Sequence, residues 1–171
     1  MCYILYMNKS NHSANQSVNP SEQPREYSLE EYPQVAENII NILSEKKTRT
    51  IALHGNLGAG KTTLSQEIIK QLGVTEVVTS PTFVIEKEYQ TGVAGGVQKK
   101  PSHINRIVHI DTYRLKNADE LLALDFQKDL ADPQTIILIE WPELVEGLLP
   151  QDTIHIYIDY LDKDRRSITI K

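Results

Sequence analysis

The stretch GNLGAGKT, Gly55 to Thr62, has the residue types and spacing of a phosphate cradle. It fits the pattern G-x-x-x-x-G-K-[ST] and lies between an apolar run, TIALH, and a segment with helical periodicity. Gly55, Gly58 and Gly60 allow positive φ and let the backbone approach an anion closely. The successive N–H groups of Gly55, Asn56, Leu57, Gly58, Ala59, Gly60, Lys61, Thr62 and Thr63 would form a nest at a helix N-terminus, where the helix dipole adds attraction. Lys61 would reach the β- and γ-phosphates of a nucleotide, and the Thr62 hydroxyl would coordinate Mg²⁺.

Such a loop needs a carboxylate close by, at the end of an adjacent apolar strand. TIILIEWPE, Thr135 to Glu143, supplies Glu140 there. Glu140 could ligate Mg²⁺ directly or through water, or polarise an attacking water. A second strand, in HIDTYR, ends in Asp111, which could orient a water or hold Mg²⁺ through one; Arg114 could offset phosphate charge. His109 reads as a packed strand residue. Trp141 reads either as a core or interface aromatic or as a residue at the nucleotide. Ser80 and Thr82, around Pro81, could form a loop that senses the γ-phosphate as switch loops do, or a plain turn.

The elements that position these residues follow from periodicity. Ser28–Glu45 reads as a helix with Val35, Ala36, Ile39, Ile40 and Leu43 inward and Pro33 in its first turn. Thr50–His54 is a short strand, followed by a helix over Lys61–Leu72 that Gly73 ends. FVIEKEY and RIVHID read as an antiparallel pair joined by an exposed loop, Gln90–Asn105. A helical stretch capped by Asn117 or Asp119 turns Leu121, Leu122 and Leu124 inward. TIILIE is a central strand, and TIHIYIDY and RRSITIK form a C-terminal hairpin. The expected fold is an α/β P-loop NTPase sandwich with a mostly parallel central sheet and antiparallel margins. It forms one domain over residues 28–171, after a polar, disordered lead-in at residues 1–27.

Composition narrows the function classes. The chain has 171 residues, a net charge of −5 and one cysteine, Cys2. The acidic balance argues against a large nucleic-acid-gripping surface, so any contact with tRNA would run through a partner. A lone cysteine excludes an intramolecular disulfide and fits a reducing, cytoplasmic setting. MCYILYM is too short to span a bilayer and lacks the basic start and cleavage site of a secretory signal, so no membrane association is expected.

Taken together, GNLGAGKTT, SPTF, HIDTYR and IEWPE, in this order and at these separations, resemble the TsaE (YjeE) family over about Ser28–Lys171. The resemblance implies an ATPase, slow in isolation, that uses ATP and Mg²⁺ in bacterial tRNA threonylcarbamoyladenosine (t6A) synthesis. It further implies association with TsaD and TsaB, with ATP used to reset that pair between turnovers while TsaD modifies adenosine 37. Carried over by position, Lys61 holds phosphates, Thr62 and Glu140 hold Mg²⁺, and Asp111 and Trp141 match residues important for activity. Arg165 matches a position near the nucleotide. Asn56 stands where an Asp is more usual, and Tyr32 where a Thr is, so no adenine contact is carried over to Tyr32.

Two other classes compete. A small-molecule or nucleoside kinase also begins with such a loop, but it needs an arginine-rich lid, and no such segment precedes IILIE. A GTPase would carry N-K-x-D, which is absent; LDKD falls in a hairpin turn.

Overall fold

The computed structural model describes residues 23–92 and 103–171. The first helix, α1, spans Tyr32–Lys46 and buries Val35, Ala36, Ile39, Ile40 and Leu43. It starts later than its periodicity suggests, because a single 3₁₀ turn, Leu29–Glu31, precedes it. The Ser28 N–H donates to Glu31 Oε2 at 2.7 Å and shapes that turn. Lys47, at φ 56°, ends the helix in the left-handed region.

Seven strands form one mixed sheet. In chain order they are β1 (Arg25–Ser28), β2 (Thr50–His54), β3 (Glu86–Gln90), β4 (Arg106–Asp111), β5 (Thr135–Glu140), β6 (Ile154–Tyr160) and β7 (Arg165–Ile170). They lie side by side in the order β1-β7-β6-β2-β5-β4-β3. The β6–β2, β2–β5 and β5–β4 pairs are parallel, whereas β1–β7, β7–β6 and β4–β3 are antiparallel.

Helix α1 and helix α2 (Lys61–Gln71) pack on one face, over Ile51, Leu53, Ile107, Ile136 and Leu138. On the other face, the short helices α3 (Asp119–Leu122) and α4 (Phe126–Ala131) set Leu121 and Phe126 against Val108, Ile110, Ile137 and Ile139. Covering both faces explains why all six β5 residues are buried and why the strand reads as an unbroken apolar run.

The sequence expectations need correction at several margins. Arg25, Glu26 and Tyr27, assigned to the polar lead-in, pair with Ile168, Ser167 and Arg166 as edge strand β1. Strand β3 begins only at Glu86, because the N–H groups of Val84 and Ile85 both turn back to Pro81 O, at 2.8 and 2.7 Å. Ile85 then sits at φ 69°, which no extended strand allows, and leaves Phe83 85% exposed. Leu124 is exposed rather than inward. Asn117 Oδ1 accepts from the Glu120 N–H at 3.2 Å, a local tie at the start of α3. Residues 1–22 of the lead-in and most of the 90–105 loop lie outside the described residues. No helix among the described residues is long and apolar enough to cross a membrane.

Candidate nucleotide site

Parallel pairing brings the carboxyl ends of β2, β5 and β4 together. Leu53 lies opposite Glu140, and Glu140 lies opposite Asp111. Glycine-rich residues then lead from β2 into α2, whose first residue is Lys61. A crevice outside strand carboxyl ends is where open α/β sheets bind ligands. Here it is a cavity of about 440 Å³, lined by Leu57, Gly58, Gly60, Lys61, Thr62, Thr63, Thr82, Asp111, Tyr113, Arg114, Glu140 and Trp141.

Two glycines are required by space as well as by conformation. Gly55 has φ 138°, and a Cβ there would lie 2.2 Å from Ile158 O. Gly60 has φ 107°, and its Cβ would lie 2.6 Å from the hydroxyl of Tyr32. That tyrosine is buried beneath the loop, and its hydroxyl has no protein partner.

Glu140 is almost wholly buried, and each carboxylate oxygen has a donor. Thr62 Oγ1 donates to Oε2 at 2.7 Å, and His109 Nε2 donates to Oε1 at 2.8 Å. Asp111, also buried, accepts from Thr82 Oγ1 at Oδ2 and from the Tyr113 N–H at Oδ1, the latter at 3.0 Å. Ser80 reaches Asp111 only through Thr82, with the two hydroxyls 2.7 Å apart. The SPTF turn and the HIDTYR strand end are thereby joined.

Lys61 Nζ donates to Gly55 O at 2.6 Å and to Asn56 O at 3.1 Å, and lies 3.6 Å from the centroid of the Trp141 ring. Burial pushes its pKa below the usual lysine value, while Glu140, Asp111 and Glu143 pull the other way. Trp141 is held at φ 60°, ψ 51°, an unusual conformation for a bulky residue. Its N–H donates to Leu53 O at 3.2 Å, Thr112 Oγ1 donates to its carbonyl, and the Tyr113 ring lies 4.9 Å away. Backbone strain of this kind is characteristic of working sites.

Arg165 lies elsewhere. It is exposed on β7 and pairs with Asp162 at 2.8 Å and Glu26 at 2.9 Å. Its neighbour Arg166 is the one that reaches the loop, with Nε donating to Ala59 O at 2.8 Å from a buried position. Alternation along β7 carried this signal, since Arg166 shares its inward phase with Ile168 and Ile170. His109 and Tyr32 carried no such signal: His109 reads in sequence as a packed strand residue, and Tyr32 only as a residue standing where a Thr is more usual.

A glycine loop closing on a helix N-terminus beside strand-end carboxylates, within an α/β sandwich, defines a P-loop-like protein. The family model described as threonylcarbamoyl adenosine biosynthesis protein TsaE matches residues 27–168. The chain belongs to this TsaE family. It is 39% identical over 119 residues to the tRNA threonylcarbamoyladenosine biosynthesis protein TsaE of Bacillus subtilis, covering 70% of this chain and 66% of that one. It is 35% identical over 147 residues to the Haemophilus influenzae protein of the same name, covering 86% and 85%. Among solved structures, the crystal structure of Bacillus subtilis YdiB superposes with a TM-score of 0.55 at 29% identity, covering 86% of each chain.

Proposed function

We propose that this chain is a Mg²⁺-dependent ATPase that supports t6A37 modification of tRNA by acting on a TsaD–TsaB complex. The observation that carries the reading is the bond between Thr62 and Glu140, which ties the first turn of α2 to the end of β5. It unites the two halves of a phosphate-and-metal site that sequence alone leaves 78 residues apart. Family membership and the TsaE names of the relatives support the t6A role and offer nothing for a kinase.

The residues fit the cofactors. Thr62 and Glu140 present hard oxygen ligands side by side, the donor type that Mg²⁺ prefers. No cluster of three His, Cys, Asp or Glu exists among the described residues, and a Mg²⁺ shared with nucleotide phosphates needs none. When bound there, Mg²⁺ would neutralise charge on the β- and γ-phosphates.

The protein's own groups supply the rest. The N–H groups of Gly58, Gly60, Lys61 and Thr62 would bind the phosphates at the N-terminus of α2. Lys61 would exchange its contacts with Gly55 O and Asn56 O for phosphate oxygens, gaining a charge-assisted bond in a buried setting. Asp111 would accept a proton from, or orient, an attacking water, and its bond with Thr82 supports a role for that residue in reporting the state of the γ-phosphate to the SPTF turn. Trp141 would brace the lysine from the opposite side. Partner contact, with tRNA reached only through the complex, would raise a low basal rate, and the setting would be the cytoplasm. An ATPase assay with and without TsaD–TsaB tests this reading: weak turnover alone and faster turnover with the pair is expected, and equal rates would count against it.

A further inference from the structure

The imidazole of His109 is fully buried on β4, away from the cavity lining, yet it touches the Glu140 carboxylate of the site. Strand alternation accounts for the meeting. His109 and Asp111 share one face of β4, and Leu138 and Glu140 share the same face of β5, with His109 in register with Leu138. That face is the one α2 covers, so Thr62 approaches Glu140 from one side and His109 from the other.

Hydrogen-bond chemistry fixes the imidazole's form. An ionised carboxylate can only accept, and Oε2 is already engaged by Thr62. The bond at Oε1 therefore requires the proton on Nε2. The second ring nitrogen, Nδ1, is buried with no partner. A proton placed there would be an unpaired buried donor, so the Nε2–H tautomer is the one this environment accepts.

We propose that His109 is a positioning residue: it clamps the Glu140 carboxylate so that Oε2 stays turned to Thr62, and thereby sets the affinity of the site for the nucleotide's divalent cation. This rests on the reading that Thr62 and Glu140 hold Mg²⁺. A glutamate has three rotatable bonds, and without the clamp Oε1 would be a buried acceptor with no donor. The carboxylate would then turn toward another donor, the nearby Lys61 ammonium among them, and leave the metal position. Ligand-orienting hydrogen bonds of this kind are worth about 10–100-fold in metal affinity.

The test measures the affinity of a fluorescent ATP analogue in Mg²⁺ and in EDTA. The proteins are the wild type, His109→Phe (fills the space without a donor) and His109→Gln (restores an amide donor). The wild type should bind more tightly in Mg²⁺. His109→Phe should lose about tenfold of that gain with its EDTA affinity unchanged, and His109→Gln should recover most of it. Full retention of the Mg²⁺ gain by His109→Phe would overturn the proposal. So would equal losses in both conditions, or no rescue by glutamine. A wild type with no Mg²⁺ gain would instead defeat the metal reading of Thr62 and Glu140, and this inference with it. Should the variants not fold, ¹⁵N spectra of the wild-type imidazole decide: a proton on Nε2 supports the clamp, and one on Nδ1 refutes it.

Discussion

Thr62 Oγ1 lies 2.7 Å from Glu140 Oε2, so the first turn of the loop's helix and the end of the central strand share a single hydrogen bond. Removing either partner should cost metal-dependent turnover and spare metal-free nucleotide binding. Thr62→Val and Glu140→Gln are each expected to lower kcat for ATP by at least about tenfold, the scale of losing one metal-site interaction. Binding of the nucleotide in EDTA should change little. Steady-state kinetics beside equilibrium binding would check both halves.

Trp141 is the chain's one tryptophan and the Lys61 ammonium sits on its ring, so its fluorescence should report the lysine's position. Adding ATP is expected to change the emission as Lys61 moves to the phosphates. The same titration with Lys61→Ala should be flat. An unchanged wild-type spectrum at saturating ATP would refute the exchange.

Arg166 and Arg165 make opposite predictions although they are adjacent. Arg166→Ala strands the carbonyl of Ala59, a loss of about 1–3 kcal/mol for a buried group, and should lower both thermal stability and ATP affinity. Arg165→Ala breaks only exposed, solvent-screened ion pairs and should leave both the melting temperature and the ATP affinity close to the wild-type values. Thermal melts and binding curves of the two variants would separate them.

Glu86 gives a pH signature. Burial, followed by the charges of Asp129 and Glu88, raises its pKa to about 7 against an ordinary 4.5, with Arg106 partly opposing. A carboxyl that binds its proton more tightly when folded favours the native state at low pH. Its contribution is complete below pH 4.5 and is lost as the pH rises through about 7. Glu86→Gln should therefore match the wild type near pH 4.5 and be the more stable protein at pH 8, by denaturant titration at the two pH values.

The sequence made the site's frame legible because its signals are local. Glycines with fixed spacing, an unbroken apolar run ending in Glu140, and the 3.6-residue rhythm of α1 each follow from short-range sterics or burial. What it hid depends on contacts across the sheet. Phe83, Val84 and Ile85 look like strand, but Pro81 O captures the following N–H groups and turns them outward. Arg166 shares the apolar phase of Ile168 and Ile170, but the carbonyl of Ala59 that it reaches is 107 residues away and meets it only in the folded sheet. His109 acquires a role only once β4 lies beside β5.

The proposed role is tested most directly by multiple-turnover t6A synthesis reconstituted with TsaD, TsaB and this chain, comparing wild type with Lys61→Ala. If ATP turnover resets the partner pair, product formation should be sustained with the wild type and arrest near a single turnover with Lys61→Ala. Full multiple-turnover synthesis by the variant would contradict it.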